Sequence, residues 1–298
     1  MSNKDHEKED SSRSDLSRRD LVALSVAAGF VAATGGAIAA ELPVVEADVT
    51  VKTPDGTCEA AFIHPTTGSH PGVLIWPDAF GLRPAVRAMG KRLAAEGYSV
   101  LIPNPYYRSA RVSELDLNTA SFSFQNEADM SRLRKLMGGI SAPGAAEKDA
   151  TAFIAFLDAQ KSVNTRKKVG TQGYCMGGPL VFKTAAAVPN RIGAVASFHG
   201  GGLVTDHPSS PHLLVPKMKA RFYIGIASND DMRQPDAKDK LREAFAAAKL
   251  PAEIKVYGSL HGWCMPDMPA SGGKPIYNKE DAESAWSKLL ALYKKALA

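Results

Sequence analysis

Cysteine is scarce in this chain, with Cys58, Cys175 and Cys264 the only three among 298 residues. So low a count excludes a disulfide-stapled scaffold, and no Cys/His spacing of the metal-binding kind occurs, so neither a metal nor another cofactor is expected. Aromatic residues make up only 7% of the chain, and no Lys/Arg stripe interleaved with them is present, so the net charge of +5 does not point to nucleic acid. Internal repeats are absent, and no low-complexity tract follows the first forty residues. The 45% hydrophobic and 22% charged fractions exclude wholesale disorder and a membrane bundle, leaving a globular chain with a core to bury.

The first forty residues differ in kind. Residues 2–20 are polar and end in Ser17-Arg18-Arg19-Asp20-Leu21-Val22, whereas residues 21–40 carry no charge, are only modestly apolar and close on Ala37-Ile38-Ala39-Ala40. That layout reads as a signal peptide with a small-residue cleavage site. The paired arginines before a weakly apolar stretch resemble a bacterial twin-arginine signal, which carries proteins across the membrane already folded. The expectation is a cleaved signal at 1–40, engagement of the export machinery and a periplasmic or secreted mature chain; the alternative is a membrane anchor, which a segment of this length just permits. Cleavage leaves 31 basic against 25 acidic residues, a net +6. An oxidising compartment would allow Cys58 and Cys264 to pair if their Cα atoms lie within about 7 Å, and the odd count leaves at least one thiol free.

The remainder, residues 41–298, fits one catalytic domain. Residues 44–51 and 57–63 alternate around Pro54-Asp55-Gly56, as two strands joined by a tight turn would. Short apolar runs at 71–76 and 98–102 flank a helical pattern at 85–96, which predicts a right-handed parallel crossover. Further runs at 169–174, 194–198, 221–226 and 253–257 are separated mostly by helical stretches at 145–161, 179–187 and 237–249, and another begins at 280. The fold class is therefore α/β: a mostly parallel sheet with helices on both faces, in three layers. Residues 108–141 lack a clean period and form either a lid or a surface excursion.

Gly173-Tyr174-Cys175-Met176-Gly177-Gly178 stands where the run at 169–174 gives way to a helix. This has the form of a nucleophile elbow, a sharp strand-to-helix turn that lifts its middle residue above the sheet, with glycines giving the chain room to pass close to itself. A thiol at the first turn of a helix also gains from the positive end of the helix dipole. A buried structural cysteine beside a glycine turn would show the same residues, so the partners decide. A cysteine nucleophile needs a base, and the base an orienting acid; in α/β-hydrolases the order is nucleophile, acid, histidine, each after a strand. Downstream of Cys175, the run ending at Ile226 enters Ala227-Ser228-Asn229-Asp230-Asp231, and the run ending at Tyr257 enters Gly258-Ser259-Leu260-His261-Gly262-Trp263. His261 is the candidate base. Asp230 is preferred as the acid because it is the first carboxylate past the strand, while Asp231 suits a turn or cap toward the next helix.

With these motifs in place, the chain from about Ala47 onward resembles the dienelactone hydrolase family of α/β-hydrolases. The resemblance implies a Cys175, His261, Asp230 triad and an oxyanion hole formed by the backbone N–H groups of Ala79 and Met176. It also implies a site role for Asp78 in Asp78-Ala79-Phe80-Gly81, where the family usually carries glutamate, to hold or deprotonate the thiol; a turn-forming carboxylate is the other reading. Of the two arginines with which dienelactone hydrolases bind a substrate carboxylate, Arg108 matches the first, whereas no arginine follows His261 in Gly-Trp-Cys-Met-Pro-Asp. Trp76, Phe80, Tyr106, Tyr107 and Trp263 would suit an apolar acyl or alkyl group, or core packing. The expected activity is hydrolysis of a small carboxylic ester or lactone, carboxymethylenebutenolidase-like, by a monomer or homodimer. The alternatives are a thioesterase or general carboxylesterase of this fold, and a binding protein that has lost the chemistry.

Overall fold

The computed structural model describes residues 41–298 apart from positions 116, 118 and 271. The expected export signal at 1–40 lies outside the described residues. Eight strands form one sheet in the order β1-β2-β4-β3-β5-β6-β7-β8. They are β1 (Val44–Thr53), β2 (Gly56–Pro65), β3 (Gly72–Trp76), β4 (Ser99–Pro103), β5 (Val169–Tyr174), β6 (Ile192–Phe198), β7 (Arg221–Ile226) and β8 (Ala252–Val256). β1 and β2 form the hairpin around Pro54-Asp55, β2 pairs antiparallel with β4, and all later pairings are parallel.

The short apolar runs are central strands buried on both sides, and their alternation sorts side chains into two cores. In β3, Leu74 and Trp76 enter one core while Val73 and Ile75 enter the other. The second core is closed by α1 (Pro84–Ala95) and α7 (Lys279–Ala296), through Val86, Leu93, Leu289 and Tyr293. Packed into the first are α2 (Glu127–Ser141), α3 (Ala145–Asp158), α4 (Gly177–Ala187) and α6 (Ala237–Ala247). The crossover β3-α1-β4 joins neighbouring parallel strands, as the pattern predicts. Cys58 belongs to the first core and Cys264 to the second; both are buried and free, so they form no disulfide.

Two segments differ from the sequence reading. Residues 108–141 are not structureless: they contain a 3₁₀ turn at Val112–Glu114 and the four-turn helix α2. Asn126 caps that helix by accepting from the N–H groups of Ala128 and Asp129, and Glu127 and Asp129 lie in its first turn, where the dipole favours acids. Its apolar face is narrow, Leu133 and Ile140 being its buried residues, which is why no period stands out. The stretch after β7 is a short helix, α5 (Ser228–Arg233), and it carries both candidate acids.

Candidate active site

β5 ends in the middle of the sheet, and the chain turns into α4 within two residues. Cys175 occupies that turn at φ 50°, a left-handed conformation that costs a non-glycine residue on the order of 1–3 kcal/mol and persists only where the surroundings impose it. A Cβ at Gly173 would lie 2.1 Å from the Gly177 carbonyl oxygen, one at Gly177 2.4 Å from that of Trp76, and one at Gly178 2.4 Å from the Cα of Gly200. Only hydrogen fits at all three. The Cys175 N–H donates to Phe198 O and His199 Nδ1, each at 3.1 Å, which ties the turn to the end of β6. The thiol itself is partly exposed.

From the ends of β7 and β8 come the partners. His261 Nδ1 lies 2.6 Å from Asp230 Oδ2, and the His261 N–H donates to Asn229 Oδ1 at 2.8 Å, so α5 fixes both the ring and its backbone. Ser259, two residues earlier, accepts the Ser228 N–H at its carbonyl (2.9 Å) and donates its hydroxyl to Asp281 of α7. Asp231 is engaged elsewhere, with Lys238 Nζ at 2.8 Å. Cys175 lines the same hollow as the ring, and its sulfur is the other group that acts on the imidazole. Burial by itself would lower the pKa of His261, but the hydrogen bonds to Asp230 and Cys175 and their charges outweigh it and raise the ring from 6.5 to about 10. Around neutral pH the ring is therefore an imidazolium held between a carboxylate and the Cys175 sulfur.

Three supports of this arrangement are not evident in the sequence reading. His199, the first residue past β6, is fully buried at φ 39°; its Nδ1 accepts the Cys175 N–H and its ring meets those of His261 and Trp263 edge-on at 5.0 Å. Burial, then the neighbouring His261, pushes its pKa well below the usual imidazole value, so it stays neutral. Arg83 is the second: it forks to Asp78 at 2.6 and 2.9 Å and to Asp267 at 2.7 and 2.8 Å, joining the loop after β3 to the segment after His261. The third is Tyr106, whose buried hydroxyl donates to Ala79 O at 2.7 Å and reaches Met176 Sδ at 3.4 Å.

The auxiliary candidates divide. Asp78 is buried and lines the hollow beside Cys175, but its carboxylate faces Arg83 and the Phe80 N–H, and among the described residues no hydrogen bond joins it to the thiol. Ala79 and Met176 flank Cys175 in the same region, and among the described residues neither backbone N–H is given to a protein acceptor. Arg108 is not brought to the site: it forks to Asp149 at 2.7 Å, bonds Asp55 at 2.8 Å, stacks over Tyr107 and lines neither hollow at Cys175. Of the five aromatics, only Phe80 lines a hollow there; Trp76, Tyr106 and Trp263 are buried in the cores, and Tyr107 bonds Asp149 and Thr53.

Comparison with known proteins adds the family. Residues 58–297 match the model of the dienelactone hydrolase family. The chain belongs to that family. It is thus a hydrolase acting on ester bonds. A carboxymethylenebutenolidase of Rhodococcus opacus is 24% identical over 254 residues, covering 83% of this chain and 90% of that one. Among solved structures, a dienelactone hydrolase-like promiscuous phosphotriesterase from metagenomic libraries superposes with a TM-score of 0.68 at 20% identity, over 86% of this chain and 99% of that one. The dienelactone hydrolase of Anabaena variabilis gives 0.57 at 16% identity, over the same two shares. At these identities the structural likeness establishes the α/β-hydrolase fold. In this chain an acid, Asp267, follows His261, and the arginine that pairs with Asp78 stands five residues after it, at Arg83.

Proposed function

We propose that the protein hydrolyses carboxylic ester or lactone bonds with Cys175 as nucleophile, His261 as proton shuttle and Asp230 as the orienting acid. The observation that carries this reading is the imidazole of His261 held at 2.6 Å by Asp230, with the elbow thiol as its other partner. With the Cys175 proton resident on His261, the thiolate attacks the carbonyl carbon, forming the C–S bond and moving the carbonyl electron pair onto oxygen. The N–H groups of Ala79 and Met176 stabilise that oxyanion, an interaction on the order of 3 kcal/mol per donor in related chemistry. Collapse breaks the C–O bond, and the proton on His261 leaves with the alkoxide as alcohol. Neutral His261 then takes a proton from water, whose oxygen attacks the thioester; the C–S bond breaks, the acid is released and the Cys175 thiolate is restored beside the charged ring. Asp230 keeps the charged ring oriented throughout.

The test is turnover of p-nitrophenyl acetate and a small lactone by the wild type, Cys175→Ala and His261→Ala. Loss of at least a hundredfold in both variants is expected; unchanged turnover by Cys175→Ala would remove the mechanism. We also propose export through the twin-arginine-like segment at 1–40. Fractionating cells that express the full chain, beside one with Arg18 and Arg19 replaced by Lys, tests it: the wild type should leave the cytoplasm and the variant should not.

A further inference from the structure

We propose that the substrate is an open-chain ester with an extended apolar acyl group, not a compact anionic lactone; this rests on the triad reading and adds the direction in which the substrate lies. Two hollows meet at Ala79, Phe124 and Cys175. One, of about 260 Å³, runs past His261, Asp230 and Arg233. The other, of about 440 Å³, runs between α2 and α4, walled by Leu133, Met137 and Ile140 from one helix and Pro179 and Leu180 from the other.

The stereochemistry of the tetrahedral carbon assigns them. Its four substituents are the Cys175 sulfur, the oxyanion, the leaving oxygen and the acyl chain. The oxyanion lies toward Ala79 and Met176, and the leaving oxygen must face His261 to take its proton. That direction is the smaller hollow, which His261, Asp230, Asp78 and Arg233 help to line. Only the larger hollow is left for the acyl chain, and its walls are mostly apolar, with Lys183 its one charged lining residue. A lactone ties the acyl and alkoxy halves into one ring at the junction and fills neither hollow. Nor do Arg108 and Arg83 form a two-arginine clamp for a substrate carboxylate, since Arg108 is bound to Asp149 and Asp55, and Arg83 to Asp78 and Asp267; the arginine in the smaller hollow, Arg233, lies 3.6 Å from Asp230.

The experiment is kcat/KM for p-nitrophenyl esters from acetate to dodecanoate, together with a carboxylate-bearing five-membered lactone, on the full chain. Burial of each methylene should raise kcat/KM about three- to fourfold until the hollow is full. Met137→Trp, which narrows it, should cut the octanoate-to-acetate ratio at least tenfold, and Leu180→Ala, which widens it, should move the optimum to a longer chain. Two variants of opposite sign keep the test decisive should one fold poorly. If acetate is turned over through Cys175 but the rates are flat with chain length, or the lactone is the better substrate, this proposal fails while the triad stands. If no ester is turned over, or Cys175→Ala matches the wild type, the triad fails and this proposal with it.

Discussion

Replacing Asp230 by Asn removes one negative charge and little volume from the site. The rise of His261 from 6.5 to about 10 corresponds to at most about 5 kcal/mol in favour of the charged ring, shared between Asp230 and Cys175. The sign follows from linkage: a histidine whose pKa is higher folded than unfolded contributes stability that is complete below about 6.5 and is lost as the pH rises through about 10. In the wild type, kcat/KM should thus have an alkaline limb near pH 10, where the imidazolium that protonates the leaving group disappears, and the melting temperature should fall over the same range. In Asp230→Asn that limb should move at least one pH unit toward neutrality. Turnover at pH 8 should drop by about 10²–10⁴, the usual scale for lost acid–base catalysis. The assay is p-nitrophenyl acetate hydrolysis from pH 5 to 11, with thermal melts at the same pH values. An alkaline limb that stays put, or a variant within threefold of the wild type, would refute the assignment of Asp230.

Arg83→Met should destabilise the fold by about 3–5 kcal/mol in urea, because it leaves Asp78 buried without its partner; adding Asp78→Asn should restore part of that loss. Gly173→Ala places a methyl group on the Gly177 carbonyl oxygen and should cost about 3 kcal/mol or more in a melt, or prevent folding. In His199→Phe the Cys175 N–H loses one acceptor, so about 1–3 kcal/mol of stability should go, with His199→Asn less affected. A thiol-specific reagent should titrate one cysteine in the native protein and three after denaturation, because Cys58 and Cys264 are buried and their thiols are pushed up by burial. Three reactive native thiols would contradict the packing.

Much of the frame is legible because it rests on local signals. The runs at 71–76 and 169–174 read as strands since a strand covered on both faces needs apolar residues throughout, and Pro54-Asp55-Gly56 marks a hairpin by turn chemistry alone. The elbow is legible because backbone crowding admits no side chain at Gly173, Gly177 or Gly178. Asp230 and His261 stand out by position after strands.

What sequence spacing misses is set by tertiary neighbours. His199 also follows a strand and precedes a glycine, as His261 does two sheet positions further out; only the pairing of β6 with β5 brings it against Cys175. That strand order was the available signal, since the residue capping the strand next to the nucleophile's must touch the elbow. Arg83 and Asp267 are 184 positions apart, a separation at which no local pattern pairs charges. Arg108 shows the reverse case. Its place after β4 fits an anion clamp, but Asp149 arrives from α3 and takes the guanidinium.

Whether Cys175 is the nucleophile is decided most directly by mixing the enzyme with p-nitrophenyl octanoate, quenching within the first turnover and locating the acyl group by peptide mass spectrometry. Catalysis through Cys175 gives a burst of one p-nitrophenol per chain and an octanoyl thioester on the peptide carrying Cys175, absent in Cys175→Ala. Acylation at another residue, or full turnover by the alanine variant, would contradict it.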